Sequence, residues 1–280
     1  MVHGLPRIII GLIITGGDVS ELPYAKKSLG QHWLTDEASL QAMCDAADVT
    51  AADTILEIGP GLGTLTELLT RRAGRVVAVE FDTDLAAGLA SRVPAANLEV
   101  THADILGFDF TSLPADYKIV ANIPYYLTSN LIRVLSETPN RPSVAVLLVQ
   151  KEVAERACAA AGNASLLSVT AQFYWHVGVG LVMPAELFTP SPKVDSQILL
   201  LERPASVRFP DVDVQRFFRL VKAGFAERRK KLRSSLSGGL NISKSDAESL
   251  LNNANIDPNL RAQALSLDDW HRLYLTYTDE

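Results

Sequence analysis

Short apolar runs that alternate with helix-type patterns constrain the fold of this chain most strongly. Six of these runs, rich in valine, isoleucine and leucine, are predicted strands at residues 54–58, 75–79, 98–101, 118–121, 144–149 and 196–201. Helix-type patterns fill residues 64–73 and 84–92, and residues 166–183 are predicted as a helix followed by a strand. Strands that are apolar throughout are buried on both faces, and strand–helix alternation is typical of parallel sheets. The sequence therefore predicts an α/β fold built on a mostly parallel sheet.

A change of pattern after residue 205 predicts a second domain. Helical periodicity appears at residues 214–226, 244–253 and 268–274, and turn-type segments at 235–239 and 256–258 are predicted to separate these helices. We predict a flexible leader over residues 1–22, a large α/β domain over residues 23–205 and a small helical domain over residues 206–280.

Composition narrows the class of protein and its compartment. Hydrophobic residues make up 48% of the 280 residues and charged residues 21%, as in a globular protein with a substantial core. The apolar run at residues 8–14 is too short to span a bilayer, so no membrane association is expected. Cys44 and Cys158 show no metal-ligand spacing. We therefore expect free thiols, no metal site and a reducing, cytoplasmic compartment.

A basic cluster interrupts a chain that is acidic as a whole. The net charge of −6 argues against a generally basic coat for nucleic acid. The cluster lies at the tail of a predicted helix and consists of Lys222, Arg228, Arg229, Lys230, Lys231 and Arg233, with Glu227 as the only acidic residue among them. Composition alone leaves two interpretations open, an ordinary solvated face or a surface that contacts phosphates.

A glycine-rich turn after the first predicted strand is a candidate cofactor site. Gly59, Gly61 and Gly63 allow the backbone to come close to a ligand, and their spacing differs from that of the dinucleotide fingerprint. The spacing is the form expected of S-adenosylmethionine enzymes, which have no pyrophosphate to hold. Glu80 ends the next strand, where a carboxylate can bind ribose hydroxyls, and Asp104 follows the third strand, where it could accept from an adenine amine. The alternative is a turn that only joins a strand to a helix.

The segment Asn122-Ile123-Pro124-Tyr125 directly follows a buried strand and combines an amide, a rigid kink and an aromatic ring. The Asn122 oxygen and the carbonyl of Ile123 or Pro124 could accept hydrogen bonds from an exocyclic amine, and Tyr125 could stack on its ring. Two prolines stiffen the loop over residues 188–196, which could present Phe188 as a second stacking face. The structural alternative for the first segment is a strand-ending turn in which Tyr125 is a core residue. The alternative for the loop is that Phe188 is a core residue.

Six segments of the chain form an ordered set of motifs: residues 26–34, 57–63, 122–125, 150–153, 188–196 and 225–236. Together and in this order they resemble the rRNA adenine N6,N6-dimethyltransferase family. The resemblance implies a class I, Rossmann-like S-adenosylmethionine-dependent methyltransferase domain with a mostly parallel seven-stranded sheet, followed by a small C-terminal helical domain that binds RNA. It also implies dimethylation of two adjacent adenosines near the 3′ end of small-subunit rRNA, by a monomer that acts on an immature 30S-type subunit without a metal.

Functional roles are carried over from the resemblance residue by residue. The implied S-adenosylmethionine contacts are Gln31, His32, Leu34, Gly59, Gly61, Gly63, Glu80, Asp104 and Asn122. The residues implied to hold the target adenine are Asn122, Pro124, Tyr125 and Phe188, and the basic cluster is implied to bind RNA. Some relatives have Gln-Asn-Phe where this chain has Gln31-His32-Trp33. Trp33 is expected to fill the apolar slot of that phenylalanine.

Three other functions remain open at this point. A large-subunit rRNA adenine methyltransferase of the antibiotic-resistance type shares the core, but residues 26–34 and 225–236 resemble the small-subunit branch more. A non-catalytic ribosome-assembly factor could keep the fold, although four intact residues argue against lost chemistry: Glu57, Glu80, Asp104 and Asn122. A nicotinamide oxidoreductase is disfavoured by the glycine spacing.

Overall fold

The computed structural model describes residues 30–278, which form two compact units. The first contains residues 30–154 and Gly178–Glu202, and the second contains Glu155–Val177 and residues 203–278. The predicted leader and the first residues of the 26–34 motif lie outside the described residues. The predicted domain boundaries stay a prediction, and the compact units divide the chain differently, since residues 155–177 belong to the second unit.

The described residues form nine strands and ten α-helices. The strands are β1 (Trp33–Leu34), β2 (Thr54–Ile58), β3 (Arg75–Glu80), β4 (Leu98–His102), β5 (Lys118–Asn122), β6 (Val144–Gln150), β7 (His176–Met183), β8 (Phe188–Thr189) and β9 (Ser196–Glu202). The helices are α1 (Glu37–Ala46), α2 (Thr64–Arg72), α3 (Thr83–Arg92), α4 (Thr128–Glu137), α5 (Lys151–Ala157), α6 (Leu166–Tyr174), α7 (Val214–Phe225), α8 (Leu232–Leu240), α9 (Lys244–Asn253) and α10 (Leu267–Thr278). Across residues 30–278, no helix combines the length and apolarity needed to cross a membrane.

Seven strands form one mixed, mostly parallel sheet, as predicted. Their order is β4-β3-β2-β5-β6-β9-β7. Strands β2 to β6 run parallel to their neighbours, whereas β9 pairs antiparallel with β6. The apolar runs are buried as expected, and Ile55, Val76, Val120 and Val146 have no exposed surface. The continuous apolar sequence thus led to the correct strands because each central strand is covered on both faces.

A second, two-stranded sheet joins segments far apart in the sequence. β1 pairs antiparallel with β8, so that Leu34 lies opposite Phe188. Both side chains are buried in one hydrophobic core cluster of the first unit. This pairing ties residues 30–34, called the N-terminal segment below, to the loop with two prolines. No periodicity predicts the pairing because each strand has only two residues.

Helix α3 begins at the carboxyl end of β3 and is capped by its own sequence. Asp82 is the N-cap, and its carboxylate accepts hydrogen bonds from the backbone N–H groups of Asp84, at 3.0 Å, and Leu85, at 3.4 Å.

Gly63 at the start of α2 has φ +92°, and a Cβ there would lie 2.8 Å from Val93 Cγ2. Only glycine therefore lets the start of α2 approach Val93, at the end of α3, so closely.

One prediction in the C-terminal part is wrong. Residues 235–239 were predicted as a separator between helices, but they lie inside α8. Leu232, Leu236 and Leu240 repeat every four residues and are buried, which stabilises the helix through one apolar face. Gly239 serves close packing, since a Cβ there would lie 2.6 Å from the Cβ of Ala223 on α7. The glycine pair was mistaken for a turn signal because its packing partner is distant in sequence.

The second unit has its own aromatic core. Phe217 and Trp270 have no exposed surface, and Phe173 of α6 packs against Phe217 with 4.8 Å between ring centroids. Gly224 of α7 makes room for the indole of Trp270, since a Cβ on Gly224 would lie 2.3 Å from its Cη2 atom.

Gly224→Ala is therefore expected to destabilise the second unit by about 1–3 kcal/mol, the usual cost of overpacking a core. Gly238→Ala is the matched control, because Gly238 is an exposed helical glycine and a Cβ added there would meet no atom within 4 Å. The control is expected to be neutral or to stabilise by up to ~1 kcal/mol. Denaturant unfolding of both variants is the measurement, and equal stabilities would contradict the packing argument.

Candidate active site

A cavity opens at the carboxyl ends of β2, β3 and β5, the edge where ligands bind in open α/β sheets. Its volume is about 80 Å³, and it opens to solvent. The residues proposed from the sequence that line it are Gln31, His32, Leu34, Gly59, Gly61, Glu80, Asn122, Pro124 and Tyr125. The fold therefore brings together most of the candidates named from the glycine turn and the Asn-Ile-Pro-Tyr segment.

The glycine turn is held to the end of β3 by the Glu80 carboxylate. Gly59 and Gly61 have φ +67° and +57°, values that favour glycine. Glu80 is buried, and its Oε2 accepts from the Gly61 N–H at 3.1 Å. Its Oε1 accepts from the Asp82 N–H at 2.8 Å. Each carboxylate oxygen keeps a lone pair that could accept a hydrogen bond from a ligand.

Glu57 places a buried carboxyl group beside the cavity. The residue is 1% exposed and lines the cavity, and within residues 30–278 its Oε2 atom has no hydrogen-bond partner. Burial raises the pKa of Glu57 to about 8; the Thr66 hydroxyl opposes this rise, and the nearby charge of Glu80 adds to it. A buried acceptor without a partner is costly unless a ligand supplies a donor.

Asn122 ends β5 with its side chain oriented by the N-terminal segment. Its Nδ2–H donates a hydrogen bond to the His32 carbonyl oxygen at 3.1 Å. The amide oxygen remains as an acceptor, because the amide nitrogen takes the donor role. The Pro124 carbonyl already accepts from the Leu127 N–H at 3.0 Å, as the chain turns into the short 3₁₀ helix Tyr125–Leu127.

The Tyr125 side chain has contacts at its hydroxyl and at its ring. Its hydroxyl forms a 2.8 Å hydrogen bond with the Ser196 hydroxyl, and burial raises its pKa. The His32 ring lies nearly parallel to the Tyr125 ring, at 5.7 Å between centroids and 21° between planes. The His32 Nδ1–H donates to the Pro190 carbonyl oxygen at 2.6 Å. The N-terminal segment thus contacts both the tyrosine and the loop with two prolines.

Three proposed residues do not line the cavity. Gly63 starts α2, and Asp104 is exposed and accepts from the Leu106 N–H at 3.0 Å. Phe188 is 3% exposed and packs in the hydrophobic core with Leu34, which is the structural alternative named above. The functional assignments of these residues stay predictions.

Two exposed aromatic residues of the cavity were missed. Phe81 is 58% exposed and directly follows Glu80, and Tyr126 is 64% exposed and directly follows Tyr125. Exposed rings beside a cavity offer stacking faces for flat ligands. Their adjacency to motif residues was the available signal, but sequence could not distinguish an exposed ring from a core residue.

The basic cluster lies in the second unit and is not uniform. Lys222, Arg228, Arg229 and Lys230 are exposed. Lys231 Nζ donates to Asn259 Oδ1 at 2.8 Å, and Arg233 pairs with Glu248 at 3.0 Å, so these two cations already have partners. The turn between α7 and α8 carries residues 228–230, whereas Lys222 projects from α7 itself.

Sequence analysis also missed a basic stripe along α7. Arg216, Arg219 and Lys222 recur every three residues, are exposed and form no ion pair within the described residues. Arg219 and Lys222 line a shallow groove with Gln215, Ala223 and Gly239. Helix α7 contains no acidic residue. The stripe therefore adds free positive charge to the cluster identified from the sequence.

The order of the seven strands, with a glycine turn after β2 and an Asn-Ile-Pro-Tyr segment after β5, defines a class I methyltransferase. The sequence profile of the family described as "Ribosomal RNA adenine dimethylase" matches residues 24–279. The chain belongs to this family.

Individual relatives agree with the family assignment. The chain is 41% identical over 263 residues to a ribosomal RNA small subunit methyltransferase A of Dehalococcoides mccartyi, covering 91% of this chain and 89% of the relative. It is 40% identical over 252 residues to the protein of that name from Syntrophotalea carbinolica, covering 89% and 95%. A crystal structure of a dimethyladenosine transferase from Plasmodium falciparum superposes with a TM-score of 0.76, at 26% identity and covering 89% of this chain and 98% of that one. The 23S rRNA methyltransferase ErmE gives 0.69, at 26% identity, covering 87% and 98%.

Glu57 is expected to make stability fall as pH rises. Its pKa is about 8 in the folded state against an ordinary value of 4.5. Between these values the folded state holds a proton that the unfolded state has lost, so the free energy of unfolding falls by up to about 1.4 kcal/mol per pH unit. Glu57→Gln should remove this fall, which thermal unfolding of the ligand-free protein from pH 5 to pH 9 would measure.

Glu99→Gln is the control for that experiment. Glu99 is exposed and pairs with Arg75, which lowers its pKa, so its contribution to the pH dependence has the opposite sign. Glu99→Gln should therefore keep the fall in stability. A wild-type protein whose stability stays flat from pH 5 to pH 8 would contradict the assigned pKa of Glu57.

Proposed function

We propose that this protein transfers methyl groups from S-adenosylmethionine to N6 of two adjacent adenosines, in a loop near the 3′ end of small-subunit rRNA. Its substrate would be an immature 30S-type subunit in the cytoplasm, and it would act as a monomer. The observation that carries the proposal is Asn122, held by the His32 carbonyl with its amide oxygen left as an acceptor beside Tyr125. The similarity to small-subunit methyltransferases supports the choice of rRNA.

The residues of the cavity fit S-adenosylmethionine. Glu80 would accept from the ribose hydroxyls, and the exposed ring of Phe81 would cover the adenine of the cofactor. Glu57 would accept from the ammonium group through the Oε2 atom that has no partner among the described residues. When bound, the sulfonium supplies an already activated methyl group, so the protein needs no strong general base.

The chemical difficulty lies in the target amine. The lone pair of an adenine N6 is delocalised into the ring, which makes the amine a poor nucleophile. Acceptors aimed at its two hydrogens favour a more pyramidal nitrogen in the transition state. Asn122 Oδ1 would be the first acceptor. The Ile123 or the Pro124 carbonyl would be the second; the Pro124 carbonyl already accepts one hydrogen bond, from the Leu127 N–H, and keeps one lone pair.

Tyr125 would position the base, and much of the remaining barrier would be overcome by alignment. Its hydroxyl is bound to Ser196, so the ring is held in one orientation before RNA arrives. The His32 ring lies over Tyr125, and a base that stacks there would contact the N-terminal segment as well. The target adenine must be unstacked to reach this site, which favours a single-stranded loop as substrate.

RNA would be held mainly through its phosphates. Lys222, Arg228, Arg229 and Lys230 are exposed cations in a chain of net charge −6, so the attraction is local. Lys231 and Arg233 would contribute less, since Asn259 and Glu248 already engage them. Phosphate contacts orient the protein on a folded RNA without reading its sequence, as expected for recognition by shape.

The decisive test of the function is the transfer of tritiated methyl groups to small subunits that lack the 3′-end dimethyladenosines. Large subunits and free rRNA are assayed in parallel. The expected product is N6,N6-dimethyladenosine on small subunits, approaching four methyl groups per particle. Label on large-subunit rRNA would favour the resistance-type function instead. Intact subunit binding without label would favour an assembly factor.

Asn122→Ala is expected to lower methyl transfer by about 10²–10³, the usual effect of removing one preorganised polar group from an active site. The fold should survive, because Asn122 is only half-buried and donates a single hydrogen bond. Asn122→Asp is the matched comparison, since it keeps an acceptor but loses the donor to His32. Single-turnover transfer is the measurement, and near-normal turnover of Asn122→Ala would refute its assigned role.

Charge reversal at Arg228 and Arg229 is expected to weaken subunit binding and leave S-adenosylmethionine binding intact. Replacing both by glutamate removes two phosphate-binding charges and adds repulsion, so the loss should be greatest at low salt. Arg133→Glu is the control, because Arg133 is exposed in the first unit and already pairs with Glu137. Filter binding across a salt series is the measurement. Unchanged affinity at low and high salt would contradict the assignment.

A further inference from the structure

Trp33 carries a hydrogen-bond donor that nothing in the described fold uses. The residue lies in β1, opposite Thr189 of β8, and its side chain lines the cavity. The indole Nε1 atom is buried and has no hydrogen-bond partner within residues 30–278. An indole N–H can only donate, so a water molecule or a ligand must supply the acceptor.

The indole N–H of Trp33 lies next to the glycine turn. A Cβ built on Gly61 would lie 3.4 Å from both Cδ1 and Nε1 of Trp33, so the N–H edge of the indole borders the turn. The Gly61 amide already donates to Glu80, which leaves the Trp33 N–H as an additional donor at this edge. Leaving a buried donor without an acceptor costs about 1–3 kcal/mol, a cost that a bound acceptor would remove.

The same cavity contains the complementary orphan group. Glu57 Oε2 is a buried acceptor without a donor, just as Trp33 Nε1 is a buried donor without an acceptor. One free donor and one free acceptor in a single cavity match the two charged groups of an α-amino acid. Trp270 Nε1 is also unpaired, but it lies in the core of the second unit and cannot serve such a ligand.

We propose that the Trp33 indole N–H donates a hydrogen bond to the carboxylate of the amino-acid part of S-adenosylmethionine. The proposal rests on the proposed function for the identity of the cofactor. It assigns Trp33 a polar role in place of the apolar slot expected from the sequence. Phenylalanine at this position would be smaller and has no donor.

Calorimetric binding of two ligands to two proteins tests the role directly. S-adenosylmethionine and its decarboxylated analogue differ only in the carboxylate, so the change in preference between them isolates the donor that Trp33→Phe removes from any effect of its smaller ring. Wild type is expected to prefer S-adenosylmethionine, and Trp33→Phe should reduce that preference by about tenfold or more, as for a hydrogen bond to a charged group. Affinity for the decarboxylated analogue should stay nearly unchanged. Trp175→Phe, in the second unit and outside the cavity, should keep the wild-type preference.

The outcomes separate the two proposals. Suppose that wild type binds S-adenosylmethionine, and that Trp33→Phe lowers the affinity for both ligands equally or for neither ligand. The Trp33 assignment is then overturned, and the proposed function stands. If wild type binds neither ligand, the proposed function itself fails. Should Trp33→Phe fold poorly, a tryptophan analogue with sulfur in place of the indole N–H removes the donor and keeps the ring shape. The protein with this analogue at position 33 should lose its preference for S-adenosylmethionine, as Trp33→Phe does. If it keeps the wild-type preference, the assignment is overturned.

Discussion

The candidate site depends on the buried Glu80 carboxylate, which accepts from the backbone of the glycine turn and from the backbone at the start of α3. One oxygen binds the Gly61 N–H of the glycine turn, and the other binds the Asp82 N–H at the start of α3. Asp82 in turn caps α3. A carboxylate that accepts two backbone N–H groups is costly to displace from a buried position. The turn and the helix start are therefore held in place before any ligand binds.

The other side of the cavity is built by segments that are distant in sequence. β1 pairs with β8, the His32 side chain donates to the Pro190 carbonyl, and the His32 backbone accepts from Asn122. The amide that would contact the target base is thus oriented by the same segment that covers the cofactor cavity. Cofactor binding and base positioning would be coupled through this short segment, since a shift of its backbone would move the Asn122 side chain.

Two buried polar atoms without hydrogen-bond partners among the described residues lie at this cavity. Glu57 Oε2 and Trp33 Nε1 are buried among residues 30–278 without hydrogen bonds, although polar groups in protein interiors are almost always paired. A charged ligand bound at this site would offset their free energy cost. The raised pKa of Glu57 follows from the same burial and links the site to pH.

The sequence by itself determined the sheet and the identity of the motifs. Fully buried parallel strands have continuous apolar sequences, so 54–58, 75–79 and 144–149 were found almost to the residue, and a glycine turn requires positive φ values wherever it folds. Only the tertiary structure decided the rest. β1 and β8 exist solely as partners of each other, Gly239 belongs to a helix because Ala223 packs on it, and Phe188 is buried rather than exposed. Each of these depends on contacts between residues far apart in the chain, which local periodicity does not contain.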